Sequence, residues 1–131
     1  MEDSNKIAQL SNFEIQKSYE DEYVTERLIL RKYPDPCVDS ILFTVCLKES
    51  NEEIGEVILI YDGEIWYRIE KDFRRKGYAT EAVRKLMEVS KRDEFYLSIK
   101  GTNWVSKKVA KKLGFVKKEK LWWYQKTKNS L

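Results

Sequence analysis

Arg74, Arg75 and Lys76 place three consecutive cations directly ahead of Gly77, and the chain then enters Tyr78-Ala79-Thr80-Glu81-Ala82-Val83 with helical spacing. The start of a helix leaves four backbone N–H groups without partners, which Ser, Thr, Asp or Asn normally satisfies from the N-cap. No residue of those types stands between positions 73 and 77. A glycine there admits positive φ and the close approach of a ligand, while the cations surround the exposed donors with positive charge. The missing cap is therefore read as an anion, such as a phosphate. Taken alone, the same residues also describe a turn glycine among solvated cations. Histidine is absent from the chain, which removes the usual general base, the Ser-His and Cys-His triads and most zinc sites. Cys37 and Cys46 have no cluster of ligands around them. They read as core or surface thiols of a reducing compartment, with no metal site expected.

The elements that must position this stretch follow from pattern. With 131 residues, 42% hydrophobic and 13% aromatic, the chain is expected to form one globular domain, residues 1–131. A net charge of only +3, from 25 Lys and Arg against 22 Asp and Glu, suits a small anionic ligand and argues against a nucleic-acid binder. The N-terminus lacks the pattern of a signal peptide and no apolar run is long enough for a membrane span, so a cytoplasmic protein with no membrane partner is expected. Alternation predicts strands at 25–31, 41–48, 53–61 and 64–70, the last two joined by the hairpin dipeptide Asp62-Gly63. Ala79, Ala82, Val83, Leu86 and Met87 then mark one face of a helix running to about Ser90. A strand at 95–99, a helix from Val105 to Leu113 ending at Gly114, and a terminal pair of strands complete the chain. The fold class is α/β (α+β), a mainly antiparallel twisted sheet with two main helices and one crossover.

Arg74 through Ala79 resembles the R/Q-x-x-G-x-G/A pyrophosphate loop of the GNAT N-acetyltransferase superfamily. TERLILR in the first strand, Ile54-Gly55-Glu56, IWYRI before the loop, Asn103-x-x-Ser106 and Lys112-Leu113-Gly114-Phe115 occur in the family's order. Together they look like the branch of ribosomal-protein and other protein N-terminal acetyltransferases. The resemblance spans residues 25–118 and leaves 1–24 as a divergent segment. Three positions depart from the family pattern: Lys71 replaces a frequent proline, Arg75 stands where many relatives carry glycine, and Ala110 stands where many carry a tyrosine. The two helices that the family commonly inserts after the first strand have no room in residues 32–40, which contain two prolines.

The resemblance implies direct transfer of an acetyl group from acetyl-CoA, the co-substrate, to an amine. Tyr67, Arg68 and Ile69 would form a bulged strand whose backbone pairs with the pantetheine arm and polarises the thioester. Arg74, Arg75, Lys76, Gly77, Tyr78, Ala79 and Thr80 would wrap the pyrophosphate. Asn103 would contact the cofactor, or else only cap the following helix. Lys107 and Lys108 would reach the remaining phosphate, or form a solvated face with Lys111 and Lys112. With Ala110 excluding a tyrosine at that site, Ser106 is the candidate to assist the leaving thiolate, whose pKa near 8.5 demands little help; it also suits an ordinary first-turn serine. Glu70, with Glu53 and Glu56 behind it, is the candidate base, though each also fits a surface carboxylate. Weak base equipment favours an α-amine, neutral in about one molecule in ten at pH 7, over lysine. A protein or peptide terminus is thus the favoured acceptor. Ile7, Leu10, Phe13, Ile15, Tyr19 and Tyr23 are expected to wall the acceptor side, within one subunit or across a homodimer. Trp104 is a candidate for the acceptor pocket, while Trp66, Trp122 and Trp123 read as sheet packing. Two other readings remain at this level: a degenerate acyl-CoA sensor, and a nucleic-acid or ribosome-associated module without catalysis.

Overall fold

Turn chemistry organises the first sheet. In the computed structural model, which describes residues 22–34 and 39–126, strands β1 (Glu22–Val24), β2 (Leu28–Lys32), β3 (Ser40–Leu47), β4 (Glu53–Ile60) and β5 (Ile65–Ile69) lie in chain order, all antiparallel. Gly63 takes φ 102° and Asp62 Oδ1 accepts from Glu64 N, closing the β4–β5 hairpin that the dipeptide predicts. At the other end the expected strand over 25–31 is divided. Thr25 N donates to Leu28 O and Leu28 N to Thr25 Oγ1, so residues 25–27 turn the chain from β1 into β2. The threonine hydroxyl offers the backbone a local partner that competes with the ladder. Arg27 is thereby turned out of the strand.

A short 3-10 turn (Lys71–Phe73) leads to helix α1 (Tyr78–Val89), then β6 (Glu94–Leu97), helix α2 (Trp104–Leu113), β7 (Val116–Lys118) and β8 (Leu121–Gln125). Helix α1 buries Ala82, Val83, Leu86 and Met87 against β2, β4 and β5; each large apolar side chain contributes about 1.5–3 kcal/mol. Helix α2 buries Ala110 and Leu113 and ends in Gly114 at φ 94°, a left-handed cap that glycine adopts without strain. Among the described residues, neither helix is long and apolar enough to cross a membrane.

The mainly antiparallel sheet and two main helices are as expected, with the strands falling into two parts. β6, β8 and β7 form a second sheet in that order, joined to the first through one parallel bridge, Glu64 to Tyr96. Tyr96 N donates to Gly63 O there, Tyr96 Oη donates to Asp62 Oδ2, and Arg92 donates to the Tyr61 and Asp62 carbonyls at 2.8 and 3.1 Å. The bond to Asp62 pushes the Tyr96 phenol up to about 12. Its contribution is therefore intact below the ordinary tyrosine pKa of about 10 and is lost as pH rises through the folded value.

Residues 33–39 connect β2 to β3, and 35–38 among them lie outside the described residues. Of the apolar residues expected to wall the acceptor side, Tyr23 belongs to β1 and meets Phe43 edge-on with ring centroids 5.7 Å apart. Ile7, Leu10, Phe13, Ile15 and Tyr19 lie outside the described residues.

The bulge that the resemblance implies in β5 is absent. β4 and β5 pair without interruption from Leu59–Ile65 to Gly55–Ile69, and the register shift lies one strand over, between β3 and β4 at Val45/Cys46. Gly55 permits the close pairing of β4 with β5: a Cβ at that position would run into the carbonyl of Arg68. The atoms it would meet are strand backbone, which cannot swing aside as a side chain would. Gly55→Ala is expected to lower stability by roughly 2–3 kcal/mol in a denaturant titration. An unchanged midpoint would show that the Arg68 carbonyl gives way.

Candidate active site

The free edge of β5 is the starting point. Glu70 N donates to Ile54 O and Ile60 N donates to Glu64 O, so the even-numbered residues of β5 exchange hydrogen bonds with β4. An antiparallel ladder alternates such pairs with non-bonded ones, so the backbone groups of Ile65, Tyr67 and Ile69 face the opposite edge. There β6 meets the first sheet at the Glu64–Tyr96 bridge and then diverges. Arg74 Nε occupies the Ile69 carbonyl at 2.8 Å. The amides of Tyr67 and Ile69 and the carbonyl of Tyr67 face a cleft of about 420 Å³ lined by β5, the loop before α1, and α2.

The opposite wall is the start of α1. Gly77 is its N-cap at φ 83° with no side-chain cap, so the first-turn amides stay without intrahelical partners. Arg74, Arg75, Gly77, Tyr78, Ala79 and Thr80 all line the cleft. Arg75 keeps φ 65°, the left-handed conformation for which relatives use glycine, at a cost of about 1–2 kcal/mol. The departure in sequence therefore leaves the loop turn in place and adds a cation. Lys76 is exposed and outside the lining; its contribution is a carbonyl.

That carbonyl accepts from Arg27 Nη1 at 2.8 Å. Arg27 also donates through Nε to Glu81 Oε1 at 2.7 Å and through its backbone N to Glu81 Oε2 at 2.8 Å, and its guanidinium lies 4.4 Å from the centroid of Tyr78. Thr25 Oγ1 adds a donor to Glu81. Burial pushes the Glu81 carboxyl up, but these donors outweigh it and hold it below the ordinary range. The β1–β2 turn thus clamps the loop, a contact across more than 45 residues of sequence that TERLILR alone does not disclose. The signal was the arginine itself, whose planar fork suits such a double engagement.

On α2, Asn103 Oδ1 accepts from Ser106 N at 3.1 Å, capping the helix, and both residues line the cleft. Tyr67 Oη donates to Ser106 Oγ at 2.8 Å. The sequence placed Tyr67 here for its backbone; its phenol is what reading the residues in order misses, because strand and helix positions 39 apart meet only in the fold. Burial pushes that phenol above its ordinary pKa, so it is a neutral donor at pH 7. Ala110 is fully buried in the core.

Other candidates lie elsewhere. Glu70 is exposed and outside the cleft, and Glu56 pairs with Arg68 at 3.1 Å. No carboxylate is among the described lining residues. Lys108 is exposed and outside the lining, as is Trp104, 68% exposed. Trp66 is 57% exposed, whereas Trp122 is buried as expected and Trp123 packs against Tyr96 with the rings tilted by 37°. A larger hollow of about 610 Å³ lies under the far end of α1, lined by Phe43, Leu59 and Leu86 among others. Of the residues singled out in the sequence, Tyr23 of the expected acceptor wall is in its described lining, but no candidate catalytic or cofactor-binding residue is, so the smaller cleft is the one that gathers them.

The acetyltransferase (GNAT) domain family matches residues 2–116, a span that includes the N-terminal residues set apart by motif reading. Nothing among the curated proteins matches the sequence. Solved structures do. One is a candidate ribosomal-protein-serine acetyltransferase from Vibrio cholerae, with a TM-score of 0.66, 14% identity, and coverage of 79% of this chain and 97% of that one. Another is the ribosomal-protein-S5-alanine acetyltransferase from Vibrio fischeri, at 0.59, 15%, 73% and 83%. A third is RimL, a ribosomal L7/L12 α-N-protein acetyltransferase in complex with coenzyme A, at 0.61, 13%, 67% and 63%. At such identities the likeness speaks for the fold, and the domain match speaks for the family. The chain belongs to the GNAT acetyltransferases, and it is an acyltransferase.

Proposed function

We propose that this chain, acting as one cytoplasmic domain, is an acetyl-CoA-dependent N-acetyltransferase that acts on the α-amine of a protein or peptide. The observation that carries this reading is the convergence in one cleft of an unpaired strand edge, an uncapped cationic helix start and a hydroxyl pair. Each matches one part of the donor. The first-turn amides of α1, with Arg74 and Arg75, suit the pyrophosphate. The edge of β5 suits the amide-bearing pantetheine arm, and its inward-facing N–H groups suit the oxygen of a thioester.

In the reaction the amine lone pair attacks the thioester carbonyl carbon, the C–S bond breaks, and the thiolate leaves. Ser106 Oγ accepts from Tyr67, which directs its own hydrogen away from Tyr67 and makes it available to the departing sulfur. A thiolate with a pKa near 8.5 needs a hydrogen bond more than a strong acid. The proton lost by nitrogen passes to solvent, since no carboxylate lines the described cleft. An acceptor that arrives neutral suits such a site, which favours an α-amine over lysine. The absence of a carboxylate from the described lining also favours one second reading, a protein that binds acyl-CoA and transfers nothing.

Gly77→Asp should abolish thermal stabilisation by coenzyme A while the fold persists, because the new carboxylate takes the place of the phosphate and repels it. Stabilisation at wild-type strength would remove the phosphate-loop assignment. Tyr67→Phe and Ser106→Ala should each lower kcat by about tenfold or more with KM for acetyl-CoA changed less than about twofold, and the double variant should be no worse than Ser106→Ala. Additive losses would separate the two hydroxyls. The rate at subsaturating acceptor should rise with pH through the pKa of the acceptor amine, about 8 for an α-amine. A pH profile independent of the amine's own pKa would point to a base supplied by the protein. Saturable coenzyme A binding with no transfer to any amine would select the sensor.

A further inference from the structure

The outward face of α2 is left unused by the reaction. Trp104, Lys107, Lys108, Lys111 and Lys112 follow the i, i+3, i+4, i+7, i+8 spacing of one helix face, while Ser106, Val109, Ala110 and Leu113 make up the inward one. Between residues 100 and 126 stand nine lysines against a single acidic residue, Glu119, in a chain whose total is only +3. Among the described residues none of the four helix lysines is in a salt bridge. Lys107 donates to the Gly101 carbonyl and lies 4.6 Å from the centroid of the Trp104 ring. Like charges at i, i+4, here Lys107/Lys111 and Lys108/Lys112, destabilise an isolated helix. A tryptophan 68% exposed covers none of the core. The face works against folding and suits an anionic partner.

We infer that this face binds an acidic polypeptide segment of the acceptor, immediately downstream of the amine to be acetylated. The inference rests on the reading of the cleft as a site of transfer to peptide amines. Continuity supports it: Val105 and Ser106 line the cleft, and Trp104 adjoins them at the head of the lysine row. An acceptor whose amine lies at Ser106 leaves the cleft past Val105 and Trp104. From Trp104, at the head of the row, to Lys112 the helix rises about 12 Å, which an extended chain crosses in about four residues. Carboxylates at about positions three to six of the acceptor therefore meet the ammonium groups. The chemistry of the row favours carboxylate over nucleic-acid phosphate. It holds no arginine, the side chain suited to forked phosphate contacts, and it is a convex helix with one aromatic, where single-stranded nucleic acid calls for a groove with several stacking platforms.

The test compares peptides with Asp or Glu at positions three to six against the same peptides with Asn or Gln, in binding and in acetyl transfer, with the full chain. At low salt the acidic series should bind, and be acetylated with kcat/KM, about tenfold better, an advantage that disappears at ~0.5 M salt. Lys111→Glu/Lys112→Glu should remove the preference while affinity for acetyl-CoA and activity on neutral peptides hold. Lys111→Gln/Lys112→Gln, which spares the helix an acidic C-terminus, should halve it or better. Equal binding of the two series, or a preference that survives charge reversal, would overturn the inference. So would tighter binding of a single-stranded oligonucleotide than of the acidic peptide at the same salt. Lysine-dependent binding of acidic peptides with no transfer to any of them would uphold the surface and count against the transferase reading alone.

Discussion

The divergence of β5 from β6 after a single bridge is the constraint on which the site depends. A strand edge inside a domain presents backbone donors and acceptors that must find partners. Here β4 satisfies one edge of β5, the Glu64–Tyr96 bridge uses the start of the other, and the rest faces a cleft. Arg92, Asp62 and Tyr96 hold the bridged end closed, and Arg74 ties the open end to the loop before α1 through Ile69 O. The opening is thus pinned at both ends by side-chain bonds to backbone. A ligand that offers alternating amide groups completes the ladder that β6 abandons.

The loop that faces this edge is strained and clamped in equal measure. Arg75 and Gly77 both hold positive φ within three residues, and such conformations persist where surrounding contacts over-determine them. Arg27 supplies those contacts by joining the Lys76 carbonyl, the Tyr78 ring and Glu81. Because Glu81 sits in the first turn of α1, its charge also favours the helix start. Of the loop's own cations, Arg74 and Arg75 line the cleft. The residue that fixes the loop and the residues that would hold the phosphate are therefore different arginines.

In the proposed transfer, the fold replaces one side chain by another near the reacting atoms. The position where many relatives carry a tyrosine is Ala110, fully buried, and a phenol instead reaches Ser106 from β5. The hydroxyl chemistry is assembled from strand and helix together. Absence of a carboxylate from the described lining is consistent with chemistry that asks little of a base.

Much of this was legible in the order of residues. Helix α1 could be read because its apolar stripe, its lack of a cap and its glycine are local facts, and the β4–β5 hairpin because Asp-Gly specifies its turn within four residues. The loop, Asn103 and Ser106 were legible as a motif. What the order of residues could not show is set by contacts between distant segments: the division of the sheet, the clamp from Arg27 to Lys76 and Glu81, the collision that requires Gly55, and the meeting of Tyr67 with Ser106. Backbone propensity and side-chain period act over one or two turns, so the sequence by itself determined the elements and the uncapped, cationic helix start. Which strand edge stays open, and which hydroxyl reaches the serine, depends on how β5, α1 and α2 pack against one another, and only the tertiary structure decides that.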